Sequence, residues 1–112
     1  MNLTSMRSVQ FEAGLPKLSA VRVEEFLRHV DGWQATNDRL VKTFKFEDFV
    51  KAMQFLNRVA ELAEREQHHP DFCVHYNRVD FTLWTHTVGG LSENDFILAA
   101  KIDALVKRPD HA

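Results

Sequence analysis

The sequence predicts an α+β fold, a four-stranded antiparallel sheet with helices packed on one face, in the order α-β-β-α-β-β-α. Three observations carry this. Two stretches of strand-forming residues are each split by a tight turn, and stretches with helical spacing stand before, between and after them. At 112 residues the chain is long enough for one two-layer core and too short for two. Residues 1–15 show no sustained period and carry Gly14 just before Pro16, so they read as an irregular lead-in with no assigned role, followed by a single domain over 16–108.

The first helix starts at Ser19, a residue that caps helix N-termini, with Leu18 placed to staple onto Val23. Val23, Phe26, Leu27 and Val30 follow at helical spacing, and Gly32 closes the segment. Trp33–Thr36 and Arg39–Phe46 then flank Asn37-Asp38, a two-residue turn of hairpin type. Between Glu47 and Glu66 there is neither Gly nor Pro. Phe49, Met53, Leu56, Ala60 and Ala63 recur there every three or four residues and predict the apolar face of a long helix. Pro70 predicts its end. Phe72, Val74 and Tyr76 alternate with polar neighbours, as do Val79, Phe81 and Leu83, which predicts a second hairpin turning at Asn77-Arg78. After Gly89-Gly90, Ser92 opens a last helix carrying Phe96, Ala99, Ala100, Ile102 and Leu105.

Composition excludes several classes of function. The net charge is −2 with Lys and Arg scattered, so the basic footprint needed for direct nucleic-acid binding is missing. No apolar run approaches the roughly 20 residues of a membrane span, and the start lacks a secretory signal. Cys73 is the only cysteine, which removes an intrachain disulfide and fits a reducing, cytoplasmic setting. There is no glycine-rich phosphate loop and no Gly-x-Ser-x-Gly elbow.

What remains is histidine. Four of the six, His68, His69, His75 and His86, fall between positions 68 and 86, across a helix end and two strands. Imidazole is the side chain best suited to take and give protons near neutral pH. Glu64 precedes His68 by four residues, so a continuous helix would set the two on one face within hydrogen-bond reach. A solvated surface glutamate explains that spacing equally well, and the helix dipole alone accounts for one histidine near a helix C-terminus. His86 stands at the strand end Trp84-Thr85-His86-Thr87, beside the glycine pair, where binding groups are commonly mounted. Asp95, three residues after Ser92, matches a capping box and is explained by helix initiation alone. His75 reads as a half-exposed residue on one face of its strand and His29 as a residue at the end of the first helix, both outside the cluster. A three-histidine zinc site is the competing chemistry, weakened because adjacent histidines usually diverge.

The run Glu64-Arg65-Glu66-Gln67-His68-His69-Pro70, followed by Tyr76, His86 and Asp95, resembles the signature of the pterin-4a-carbinolamine dehydratases. The likeness continues through Phe46-Glu47-Asp48-Phe49, Asn57-Arg58-Val59-Ala60, Tyr76-Asn77-Arg78-Val79 and Gly90-Leu91-Ser92-Glu93, from about residue 18 to about residue 107. The resemblance implies the fold read above and the dehydration of a 4a-hydroxytetrahydropterin to the quinonoid dihydropterin, which recycles the cofactor of aromatic amino acid hydroxylases. It implies His68 and His86 as the proton-transfer pair, His69 holding the pterin, and Glu64 orienting the cluster. Gln67 would lie at the rim, Trp84 to Thr87 along the ring with Thr85 and Thr87 bonding its edge, and Asp95 in a supporting place. The pterin is then the substrate, with no cofactor or metal besides, and the assembly a homodimer or homotetramer. Animal members of this family also serve as dimerisation cofactors of a homeodomain transcription factor, which makes an interaction protein the rival role, and another pterin pathway is a further alternative. Gln67 and Asn94 replace the Asp and Arg frequent in animal proteins, and Trp84 stands where a small residue is common. These departures bear on side-chain preference and on the shape of the pocket.

Overall fold

The computed structural model describes residues 2–6 and 17–107. Its framework is two hairpins laid side by side. In the first, β1 (Gln34–Thr36) and β2 (Arg39–Lys45) turn at Asn37 and Asp38, whose φ values of 51° and 59° are the left-handed pair that a two-residue hairpin demands. In the second, β3 (Asp71–His75) meets β4 (Arg78–Leu83). The turn falls at Tyr76-Asn77, one residue earlier than predicted, with Tyr76 at φ 54°. Asn77 fixes it there: its side-chain amide donates to the Phe46 carbonyl and its own carbonyl accepts from the Phe46 N–H.

β2 and β4 pair antiparallel at the centre, giving the sheet order β1-β2-β4-β3. Leu40 and Phe44 of β2, and Val79, Phe81 and Leu83 of β4, are buried on one face, while Thr43, Lys45 and Arg78 are exposed on the other. The alternation matches a sheet covered by helices on one side only.

The covering helices are α1 (Ala20–Leu27), α2 (Phe49–Glu66) and α3 (Glu93–Lys107). Ser19 and Asp48 cap the first two by accepting from Arg22 N–H and Lys51 N–H. The buried face of α2 is Ala52, Phe55, Leu56, Val59, Leu62, Ala63 and Glu66. The predicted stripe is therefore right in period and wrong in phase, since Phe49 and Met53 are 48% and 37% exposed. Helix α3 is buried continuously from Asn94 to Ala100. Trp33 and Lys42 tie it to the sheet: the indole N–H lies 3.0–3.1 Å from both oxygens of Asp103, and the Lys42 ammonium 2.8 Å from one of them.

Within the predicted lead-in, Leu3–Ser5 form one turn of 3-10 helix, and Leu3 is buried in the core. Residues 1 and 7–16, and residue 108 at the far end of the predicted 16–108 domain, lie outside the described residues. No helix among the described residues is long and apolar enough to cross a membrane.

Candidate active site

The C-terminal end of α2 sets the site. The helix stops at Glu66, four residues before Pro70, because Gln67 turns left-handed at φ 54°. The His68 N–H then reaches back to the Ala63 carbonyl at 3.2 Å, the closing bond of a Schellman turn, and the Gln67 side-chain amide donates to the Glu64 carbonyl at 2.7 Å. Reversing the chain here sends two adjacent histidines to different environments.

His68 goes inward. Its Nε2 lies 2.6 Å from Oδ1 of Asp95, a carboxylate with no solvent exposure at the first turn of α3. The other oxygen, Oδ2, accepts from the Thr85 hydroxyl at 2.8 Å and from the Ser92 N–H at 2.9 Å. These three donors offset the desolvation of a buried carboxylate. A carboxylate only accepts, so His68 Nε2 carries a hydrogen and Nδ1 keeps its lone pair in the neutral ring. The capping-box spacing is thus realised, and the same side chain also anchors a histidine.

His69 stays at the surface, with Nε2 2.6 Å from Oε2 of Glu64. The glutamate's partner is His69 and not His68, because the left-handed Gln67 breaks the helical face on which positions 64 and 68 would have met.

His86 arrives from the far side. β4 ends at Leu83, and His86 begins a 3-10 turn, His86–Val88, closed by Gly89 at φ 66° and by the Thr85–Gly90 bridge. It lies beyond the strand rather than on it. Its ring is stacked on Trp84, with centroids 3.8 Å apart and planes 26° apart. Gly90 accepts the close passage of the Lys17 stem, where a Cβ would come within 2.6 Å of Cε.

Gln67, His68, His69, Trp84, Thr85, His86 and Thr87 line one cleft of about 290 Å³, together with Asp71. That volume is near the lower bound for small-ligand sites. A cleft of about 460 Å³ between α1 and α3 is larger, but it gathers His29 alone among the histidines. Glu64 stands behind His69, and Asp95 lies beneath the floor. His75 sits on the open face of the sheet, 3.5 Å from Asp80. Thr85 lines the cleft with its hydroxyl engaged by Asp95 and Ser92. Among the described residues, no group of three or more His, Cys, Asp or Glu is arranged to hold a metal ion.

Sequence reasoning missed Asp71, whose carboxylate accepts from the Trp84 indole N–H at 3.2 Å, and Arg39, whose guanidinium carbon lies 3.4 Å from the Trp84 ring centre. Arg39 becomes a neighbour of Trp84 only when β2 is known to pair with β4. The register Leu40↔Leu83, extended by one step, then places them opposite each other.

A hairpin-built α+β domain gathers at one cleft two carboxylate-anchored histidines and a third stacked on an indole, side chains able to take and give protons. The family model for Pterin 4 alpha carbinolamine dehydratase matches residues 16–105, and the chain belongs to that family. Relatives bearing pterin-4-alpha-carbinolamine dehydratase names include one from Rubrobacter xylanophilus, 39% identical over 92% of this chain and 97% of its own length. One from Nitrosomonas eutropha is 46% identical over 85% of each chain. Among solved structures, a transcriptional coactivator/pterin dehydratase from Brucella melitensis superposes with a TM-score of 0.77 at 40% identity, covering 80% of this chain and 97% of that one. A pterin dehydratase-like protein identified as a RuBisCO assembly factor in the alpha-carboxysome matches with a TM-score of 0.56 at 29% identity, over 69% of this chain and 89% of its own.

Proposed function

We propose that this chain dehydrates a 4a-hydroxytetrahydropterin to the quinonoid dihydropterin, regenerating the pterin used by aromatic amino acid hydroxylases, through acid/base catalysis by His68 and His86. The observation that carries the reading is the convergence of His68, His69 and His86 on one cleft from two chain segments, each ring with a different anchor.

The reaction breaks the C4a–O bond and removes the hydrogen on N5. In our assignment His68 Nδ1, left free by the Nε2–Asp95 bond, takes the N5 proton. The N5 electron pair forms the C4a=N5 double bond, and hydroxide departs as water with a proton from protonated His86. Asp95 stabilises the imidazolium that forms on His68. Exchange with solvent resets both rings. His69, held by Glu64, binds the pterin together with Gln67 and Thr87 at the rim. No cofactor or metal takes part. An exposed free thiol at Cys73 supports a reducing, cytoplasmic setting, and exposed Phe49, Val50 and Phe72 on α2 and β3 support a homo-oligomer.

The test supplies enzymatically generated 4a-hydroxytetrahydropterin and follows quinonoid dihydropterin formation. Wild type accelerates the step, and His68→Ala and His86→Ala each lose about 10²–10⁴ in rate. Dialysis against a chelator leaves the wild-type rate unchanged. Wild type running at the buffer rate sinks the reading.

A further inference from the structure

The three histidines differ in what holds them. His68 and His69 are each tied to a carboxylate at 2.6 Å, whereas the His86 imidazole makes no hydrogen bond among the described residues. It is exposed and mounted on a short 3-10 turn, where an unanchored side chain would sample several rotamers. Among the described residues its ring contact of defined geometry is the Trp84 indole.

Trp84 is itself fixed on three sides. Arg39 lies over the indole at 3.4 Å and His86 at 3.8 Å, and two groups that close to one ring cannot share a face, so the indole is sandwiched between them. Its edge is pinned through the Nε1–H to Asp71, 3.2 Å away on β3. Arg39 opens β2 and Asp71 opens β3, the two strands that flank β4 in the sheet. With both faces covered, Trp84 has no face left on which a pterin could stack. One of those faces is filled by one of the chain's own histidines.

We propose that Trp84 is a positioning residue, doing for His86 what Asp95 and Glu64 do for the other two, and that Arg39 and Asp71 hold it in place. Fixing the ring plane by stacking leaves both imidazole nitrogens unengaged. His86 can therefore exchange its proton with solvent at one nitrogen while meeting the substrate at the other, which a carboxylate anchor would obstruct. The kinetic consequence rests on the dehydratase reading given above, and the stack itself does not.

Two measurements on the full chain separate these. Protonated imidazole quenches an indole in contact with it, so tryptophan emission falls as the pH is lowered and His86 takes up a proton. That fall disappears in His86→Gln and in Trp84→Phe, whether or not the protein turns over a pterin. In steady state, Trp84→Ala lowers kcat by roughly tenfold or more, a part of what a well-placed acid contributes, with KM changed by less than about twofold. Trp84→Phe restores most of the rate, and Arg39→Ala lies between. The proposal is overturned if emission in His86→Gln follows pH as in wild type, or if Trp84→Ala raises KM with kcat intact, since a residue acting that way is a wall of the pocket. If wild type fails to accelerate dehydration, the functional reading falls and the emission experiment alone decides the positioning.

Discussion

Asp95 concentrates the logic of the site in one side chain. Its two oxygens serve three donors, of which the Ser92 N–H cannot reverse its role. In Asp95→Asn the single carbonyl oxygen stays with Ser92 and Thr85, and the amide NH₂ turns to His68 Nε2. That nitrogen must then accept, so the hydrogen moves to Nδ1, the atom assigned as the base. We expect kcat to fall by about 10²-fold or more while stability drops by no more than about 2 kcal/mol. Steady-state kinetics beside a urea unfolding curve check this, and full activity in the variant would remove His68 Nδ1 from the mechanism. Asp95 was legible as a helix-start residue, because a capping box is a local pattern. Its bond to His68 was not, because 27 positions separate the two and only the packing of α3 against the end of α2 brings them together.

At the scale of elements, the turn at the end of α2 decides whether the histidine pair splits. Gln67 occupies a left-handed conformation that glycine takes freely and β-branched residues resist. Gln67→Gly gains conformational ease and loses the bond to the Glu64 carbonyl, so its stability should stay within about 1 kcal/mol of wild type. Gln67→Val loses the bond and adds strain, and should cost about 1–2 kcal/mol or more in a urea titration. Equal losses in both would mean that the left-handed turn does not persist in solution. The existence and order of helices and hairpins were readable from periodicity, but two phases were not. In α2 the apolar arc is broad enough that Leu56 and Ala63 belong to both candidate stripes, so the period leaves the buried face undetermined. In the second hairpin, moving the turn by one residue shifts every cross-strand pair by two, which preserves the face of each side chain. Alternation cannot distinguish those registers. The clamp between Asn77 and Phe46, a contact 31 positions long, does.

For the molecule as a whole, sheet and helical layer are joined by a polar group inside an apolar core. Lys42 on β2 meets Asp103 on α3 and the Asp31 carbonyl, with Trp33 donating to the same carboxylate. Asp103→Ala would strand an ammonium whose side chain is only 18% exposed, at a cost of roughly 3 kcal/mol or more. Since the network lies away from the cleft, kcat measured where the variant is still folded should match wild type. A drop in kcat without a drop in stability would show that the layers transmit strain to the histidines. The family signature made the members of the site legible, namely His68, His69, His86 and Glu64. The contacts around them, including those of Asp71 and Arg39 with Trp84, depend on sheet order and on where α2 stops, and no local pattern encodes either.

Because one carboxylate both begins α3 and grips His68, opening the first turn of that helix and releasing His68 are a single event. A molecule frayed there has also lost the contact between Asp95 and His68. A replacement at this position has to satisfy two partners at once, the Ser92 N–H at the start of the helix and the His68 imidazole.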